Sequence, residues 1–472
     1  MNVYYDRGRM WELQSLDALY HRDAFSFAVI YGRRRIGKTS LIGAFVSRGE
    51  KKAIRFTATE NTDIVNRENF SQSVFAVYPE LAALGSFPTW ESAFAYIANQ
   101  ANGEKLVVEI DEYPYLAKSN PAISSEMQKC IDTFMQNTAI LLILCGSSMS
   151  FMENQVLGYQ SPLYGRRTAQ YKIMPLDYYD SAEFFGAASL QDKLLGYAVT
   201  GGIPQYLNVI AQAASVEEGI ARAFFAKDGF LYEEPQNLLK QELREPALYN
   251  TIITAIAGGA TRLGEIAGKV KEADSKTAKY TKNLIDLGIL EKEVPMFAKH
   301  DRNGIYTIRD NMYRFWHRFV PHMVTLIENG YAHVYEQRVK PFIPAYMGHV
   351  FESVCQQYLL RLNVRNRLPF LFDAIGRWWG GNPITKQQSE IDIIAASKEQ
   401  MIVCECKWQN EAIGQGIYRD LKEKATIFSG KEVYYFLFSK SGFTTALMEE
   451  AERDSQLTLV CLEDLFASEV VE

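Results

Sequence analysis

Two clusters of residues have the types and spacing to act on phosphates. The first is Gly32-Arg33-Arg34-Arg35-Ile36-Gly37-Lys38-Thr39-Ser40. Glycines in such a turn let backbone N–H groups close around phosphate oxygens, Lys38 reaches the terminal phosphates, and the Thr39 hydroxyl is suited to ligand Mg2+. Hydrolysis also needs an acidic pair. Asp111-Glu112 supplies it, with Asp111 holding the cation and Glu112 polarising the attacking water. In Gly146-Ser147-Ser148, Ser147 offers a small hydroxyl to sense the terminal phosphate. The second cluster is Asp392, Glu405 and Lys407, with Glu352 upstream. Phosphodiester cleavage requires a metal to neutralise developing charge and an aligned nucleophile. Asp392 and Glu405 are expected to ligate Mg2+ or Mn2+, Lys407 to position the water, and Glu352 to bind a second metal or support the first.

The surrounding elements must position these groups. Phe25–Tyr31 is a nearly continuous apolar run, as a buried parallel strand requires, and Ser40–Val46 continues the glycine turn as a helix. Strand, loop and helix in that order make this a complete P-loop in context. Leu106–Asp111 reads as a second buried strand with the acidic pair at its carboxyl end, and Ala139–Cys145 as a third. An α/β ATPase core is therefore expected over 1–175. A helical lid follows over 176–232, after which Glu233-Glu234-Pro235 marks a break. Residues 233–300 read as short helices closing on Leu287–Pro295, which looks like a winged helix. Lys269, Lys271, Lys276, Lys279 and Lys282 stand there against Glu272 and Asp274. This basic face suits contact with nucleic-acid phosphates, and equally a solvated helix surface. The segment 301–344 is dense in aromatics; Phe315, Trp316 and Phe319 share helical spacing and read as packing core, with His317 structural.

A carboxyl-terminal domain is expected over 345–472, opening with an amphipathic helix at Tyr346–Leu360. Gln388–Ile394 and Met401–Trp408 read as neighbouring strands joined by a turn at Ser397–Gln400. The period of two puts Glu405 and Lys407 on one face and Cys404 and Cys406 on the other, while Glu390 and Asp392 share a face. Helix, strand, helix and strand then follow at about 414–428, 433–438, 444–453 and 457–461.

Composition sets the outer bounds. At 472 residues the chain has room for about three domains. With 47% hydrophobic and 22% charged residues it buries several cores and excludes wholesale disorder. A net charge of −6 argues against coating nucleic acid through bulk charge, so any such face must be local. The six cysteines show no CxxC pair or zinc spacing and read as reduced, mostly buried thiols. The amino end carries Asp6, Arg7, Arg9 and Glu12 where a signal peptide would need an apolar stretch, and no run approaches a membrane span, so a cytoplasmic location without membrane contact is expected.

The sequence resembles the P-loop ATPase family often called archaeal, a branch of the AAA+ and STAND assemblage. Besides the P-loop and the Walker B pair, the resemblance takes in Tyr5-Asp6-Arg7 with Glu12-Leu13, Ser161–Arg167, and Gly201-Gly202-Ile203-Pro204. It implies ATP with Mg2+ as cofactors, Arg166 or Arg167 near a phosphate, and Pro204 against the adenine. The carboxyl-terminal pattern is similar to the PD-(D/E)xK nuclease arrangement, with Ile391 where that pattern carries proline. The fold expected is thus an AAA+-like core, helical lid, winged helix and restriction-endonuclease-like domain. The function expected is ATP-regulated, metal-dependent action on nucleic acid, DNA ahead of RNA, with room for an oligomer or protein partner. The alternative is a slow ATPase switch whose last domain binds nucleic acid or protein without cleavage.

Overall fold

The computed structural model describes residues 8–467 apart from 102, 299, 301–303, 382–385, 387 and 429. Tyr5-Asp6-Arg7 lies outside the described residues, whereas Glu12 and Leu13 fall in the helix Met10–Tyr20. The chain divides into two compact units, Met1–Pro175 with Ile203–Gln205, and Leu176–Gly202 with Tyr206–Glu472.

The first unit is built on five parallel strands: β1 (Ser26–Tyr31), β2 (Ala53–Thr57), β3 (Leu106–Asp111), β4 (Ile140–Gly146) and β5 (Ala169–Lys172), in the order β2-β3-β4-β1-β5. Every residue of β1, β3 and β4 is buried, which is why these strands read as unbroken apolar runs. Helices cover the sheet, and Phe27, Val29, Val108, Leu142 and Leu144 join Phe70, Trp90, Phe94 and Ile97 in one core. Each such large side chain contributes about 1.5–3 kcal/mol on burial. Because β4 lies between β1 and β3, the loop after β4 emerges between the P-loop and the acidic pair.

The second unit opens with helices. Leu190–Thr200 and Val216–Phe225 are capped by Ser189 and Ser215, whose hydroxyls accept from the backbone N–H groups of Asp192 and Glu218. Three more helices, Pro246–Ala257, Leu263–Val270 and Asp274–Asp286, precede a two-stranded antiparallel ribbon of β6 (Leu290–Glu293) and β7 (Ile305–Ile308). The two strands of the ribbon lie on either side of residue 300, the expected domain boundary. The aromatic helix Asn311–Phe319 buries Tyr313, Phe315, Trp316 and Phe319, so its aromatics are packing core.

The last sheet follows the long helix Ile343–Val364. Its strands are β8 (Ala374–Gly381), β9 (Gln388–Ala396), β10 (Gln400–Lys407), β11 (Glu432–Ser439) and β12 (Leu457–Cys461), in the order β12-β11-β10-β9-β8. β8, β9 and β10 pair antiparallel, whereas β10, β11 and β12 run parallel. One face carries the core of Ile391, Met401, Val403, Tyr418, Leu421 and Leu437. Five cysteines are buried, Cys461 is half-buried, and all six are unpaired.

Candidate functional site

The P-loop turns between β1 and the helix Lys38–Ser47. Gly37 holds a φ of 91°, a left-handed conformation that glycine adopts without strain, and a Cβ there would meet Pro204 Cγ at 3.8 Å. Pro204 therefore lies beside the phosphate-binding turn. Arg35 also takes a left-handed backbone, and Ile36 is fully buried. Arg34 donates to the Tyr115 hydroxyl at 3.0 Å. Lys38 is 6% exposed, and its ammonium donates to the carbonyls of Gly32 at 2.9 Å and Arg33 at 3.0 Å. Ser40, half-buried, follows in the first turn of the helix.

The acidic pair closes on this loop. Thr39 Oγ1 donates to Asp111 Oδ2 at 2.7 Å, while Asp111 Oδ1 accepts from the Glu112 N–H at 2.8 Å. Both carboxylate oxygens of this buried aspartate are thus engaged. Hard oxygen donors of this kind suit Mg2+. Glu112 sits at φ 50°, a left-handed conformation costing about 1–3 kcal/mol in a side-chain-bearing residue. Its carboxylate Oε2 accepts from Ser147 Oγ at 2.9 Å and from the Ser147 N–H at 3.4 Å. The residue expected to sense phosphate therefore holds the expected base.

Arg166, one of the two arginines expected near a phosphate, gives its guanidinium to Asp132, with Nε to Oδ1 at 2.8 Å and Nη2 to Oδ2 at 2.6 Å. Its Nη1 also donates to the Pro162 carbonyl at 3.0 Å. Sequence reasoning missed Arg55 and Glu109. Arg55 on β2 pairs with Glu109 on β3 and donates to the Thr39 carbonyl at 3.4 Å, beneath Asp111. Burial pushes the Glu109 carboxyl up, and Arg55 only partly pulls it back. A charged residue inside an apolar strand, two before Asp111, was the available signal.

In the second unit, Asp392 on β9 and Glu405 and Lys407 on β10 come together. Asp392 Oδ2 accepts from the Cys406 N–H at 2.8 Å, and Lys407 Nζ donates to Glu405 Oε1 at 2.6 Å. Lys424, on the helix Gln415–Ala425, donates to Glu405 Oε2 at 3.0 Å. No local pattern ties Lys424 to Glu405, which stands 19 residues away. Burial, then the neighbouring charge of Glu405, raises the Asp392 pKa. Burial lowers that of Lys407, but the hydrogen bond and charge of Glu405, with the charges of Asp392 and Cys406, leave it raised.

Glu352, on the long helix, has its pKa raised to about 7, first by burial and then by the Asp392 carboxylate. Arg377 on β8 pairs with Glu390 at 2.8 Å and reaches Glu293 of the ribbon at 3.8 Å. The Met296 N–H donates to the Arg377 carbonyl at 2.9 Å, so the ribbon is fastened to β8. The expected metal set of Glu352, Asp392 and Glu405 needs qualification. Among the described residues, no three His, Cys, Asp or Glu side chains stand ready to hold a metal ion. At Glu405 each carboxylate oxygen holds an ammonium.

The parallel sheet with a P-loop after β1, an acidic pair after β3 and β4 between them defines an ATPase domain of the P-loop class. Residues 4–210 match a family described as an ATPase domain predominantly from Archaea, and residues 316–424 match one described as "Archaea bacterial proteins of unknown function". The chain belongs to this archaeal-type ATPase family. It is 34% identical over 438 residues to the uncharacterized protein MJECL04 of Methanocaldococcus jannaschii, covering 91% of this chain and 94% of that one. Its fold is similar to that of the Walker-type ATPase PABY2304 of Pyrococcus abyssi, with a TM-score of 0.51 and 18% identity over 66% of this chain and 95% of the other. Among the described residues, no helix is long and apolar enough to cross a membrane.

Proposed function

We propose that this protein binds ATP with Mg2+ through Lys38, Thr39 and Asp111, hydrolyses it with Glu112 as the water-orienting base, and thereby regulates a carboxyl-terminal nuclease acting on nucleic acid. Support for the nucleotide half comes from the Thr39–Asp111 hydrogen bond beside a buried Lys38. Mg2+, when bound, supplies charge neutralisation on the phosphates. Glu112 is held in one orientation by Ser147, as a group that must align water requires.

The nuclease half rests above all on the meeting of Asp392, Glu405 and Lys407 on adjacent strands. Asp392 and Glu405 carry the hard oxygens that a Mg2+ or Mn2+ site would draw on, and Lys407, bonded to Glu405, is the group that would position water. For nucleic-acid binding, the exposed Lys271, Lys279 and Lys282 offer cations along one helix and the turn before it. The adjoining ribbon is bonded to β8, the strand whose Arg377 pairs with Glu390, so a recognition surface and the candidate cleavage site share one frame.

The test is digestion of labelled DNA and RNA with Mg2+ or Mn2+, with and without ATP. Lys38→Ala is expected to abolish ATP turnover. Lys407→Ala is expected to abolish metal-dependent cutting while ATP binding persists. Undiminished cutting by a pure Lys407→Ala protein removes the nuclease assignment. The second reading, a slow ATPase switch whose last domain binds without cleaving, draws on the two lysines at Glu405. It predicts nucleic-acid retention with no product in any metal.

A further inference from the structure

Glu109 stands inside β3 with its side chain 2% exposed. A carboxylate so placed destabilises the fold unless it is paired, and Val107, two residues earlier on the same face, fills its own place with an apolar side chain. The partner of Glu109 is Arg55, directly opposite in the register of β2, whose Nε and Nη2 both donate to the carboxylate. The same Nη2 donates to the Thr39 carbonyl oxygen at 3.4 Å. Thr39 is the second residue of the helix Lys38–Ser47, and at Gly43, one turn on, a Cβ would stand 3.6 Å from Arg55 Nη1. The guanidinium thus lies against the P-loop helix where that helix carries no side chain.

These contacts close a ring. Thr39 Oγ1 donates to Asp111 Oδ2 at 2.7 Å, Asp111 follows Glu109 by two residues on the same face of β3, and Arg55 leads back from Glu109 to the Thr39 carbonyl. The first turn of the P-loop helix is therefore tied to β3 at two points, once through the Thr39 hydroxyl and once through its carbonyl. One hydrogen bond leaves Thr39 free to pivot about it; two that end on the same strand do not. We infer that Arg55 is a positioning residue for ATP hydrolysis, aimed by Glu109 and acting through Thr39 and Asp111. Glu112 follows Asp111 directly, so the same ring steadies the backbone that presents the expected base. A lysine at 55 would keep a charge opposite Glu109 but lacks the planar fork that reaches two acceptors at once. This inference rests on reading the domain as a hydrolysing ATPase, and its own content is the tether.

The experiment compares the full chain with Arg55→Lys and with the double variant Arg55→Met/Glu109→Met. The double variant exchanges the pair for apolar side chains of similar length, often neutral for stability, and Arg55→Lys keeps both charges. Both are expected to unfold near the parent's urea midpoint. In each, kcat for ATP is expected to fall about tenfold while KM stays near the parent's, the pattern of lost alignment rather than lost binding. In the nucleotide-free protein, backbone amides over residues 38–44 are expected to exchange with solvent deuterium about tenfold faster, with the central strands unchanged. Parental kcat at a parental midpoint in both variants, or parental exchange over residues 38–44, overturns the inference. Should the double variant fold poorly, Arg55→Lys alone decides. Absence of ATP turnover in the parent removes the hydrolytic reading and the inference with it, whereas failure of the tether alone leaves parental turnover in every variant.

Discussion

Ser147 and Glu112 show how one hydroxyl sets the geometry of a carboxylate. Ser147→Ala removes the 2.9 Å bond to Glu112 Oε2 and leaves a strained residue free to choose its rotamer. ATP turnover is expected to fall about tenfold with little change in ATP affinity, as befits loss of orientation rather than binding. Steady-state kinetics beside calorimetry on the same variant separates the two. His317 makes a different statement. It is 5% exposed, its Nδ1 lies 3.4 Å from Thr254 Oγ1, and burial lowers its pKa to about 4. The unfolded chain binds that proton near pH 6.5, so folding stability from this group is present above that value. It is lost as pH falls toward about 4, by up to about 3 kcal/mol. Denaturant titrations are expected to show a shallower acid loss in His317→Gln. The P-loop and the acidic pair were legible because their chemistry is local in sequence. Lys424 and the Arg55–Glu109 pair were not, because their partners arrive from other elements.

At the scale of elements, strands buried on both faces announce themselves and edge strands do not. β1, β3 and β4 are central and apolar throughout, whereas β2 and β5 lie at the edges and alternate with exposed Arg55, Gln170 and Lys172. β8, the edge of the last sheet, carries Gly376, Gly380 and Gly381, and glycines weaken the signal of a strand. The helix expected from Tyr346 begins earlier, at Ile343, because Pro344 occupies its first turn, where a missing N–H costs nothing. Between helices, Gly202 is confined by two constraints. Its φ is 73°, and a Cβ there would stand 1.9 Å from the Leu176 carbonyl oxygen, while the Leu176 N–H donates to the Gly202 carbonyl at 2.9 Å. Gly202→Ala is expected to destabilise the second unit by about 2 kcal/mol or more, read as a lowered midpoint in urea. Gly165→Ala, whose φ is 79° with open space around it, carries the backbone strain without the clash and is expected to cost less.

At the scale of the molecule, an ATPase domain and the Asp392–Glu405–Lys407 cluster occupy one acidic chain. A nucleotide that binds the folded protein alone raises its stability by mass action, about 2.7 kcal/mol at a hundredfold excess over Kd. Mg-ATP is therefore expected to raise the melting temperature of the parent and to leave Lys38→Ala unmoved. Composition had indicated several cores and a charge too negative for bulk adhesion to nucleic acid. It could not report how segments far apart in sequence fasten to one another, as the ribbon does to β8 through Met296 and Arg377. One further property follows from the alternation along β10. Cys404 and Cys406 flank Glu405 and are buried with Cys355. Burial also pushes the thiols of Cys404 and Cys406 well up. A thiolate can form there only while the strand is parted from its neighbours. Alkylation at those sulfurs thus becomes a clock for the opening of this sheet, ticking beside the carboxylates it would report on.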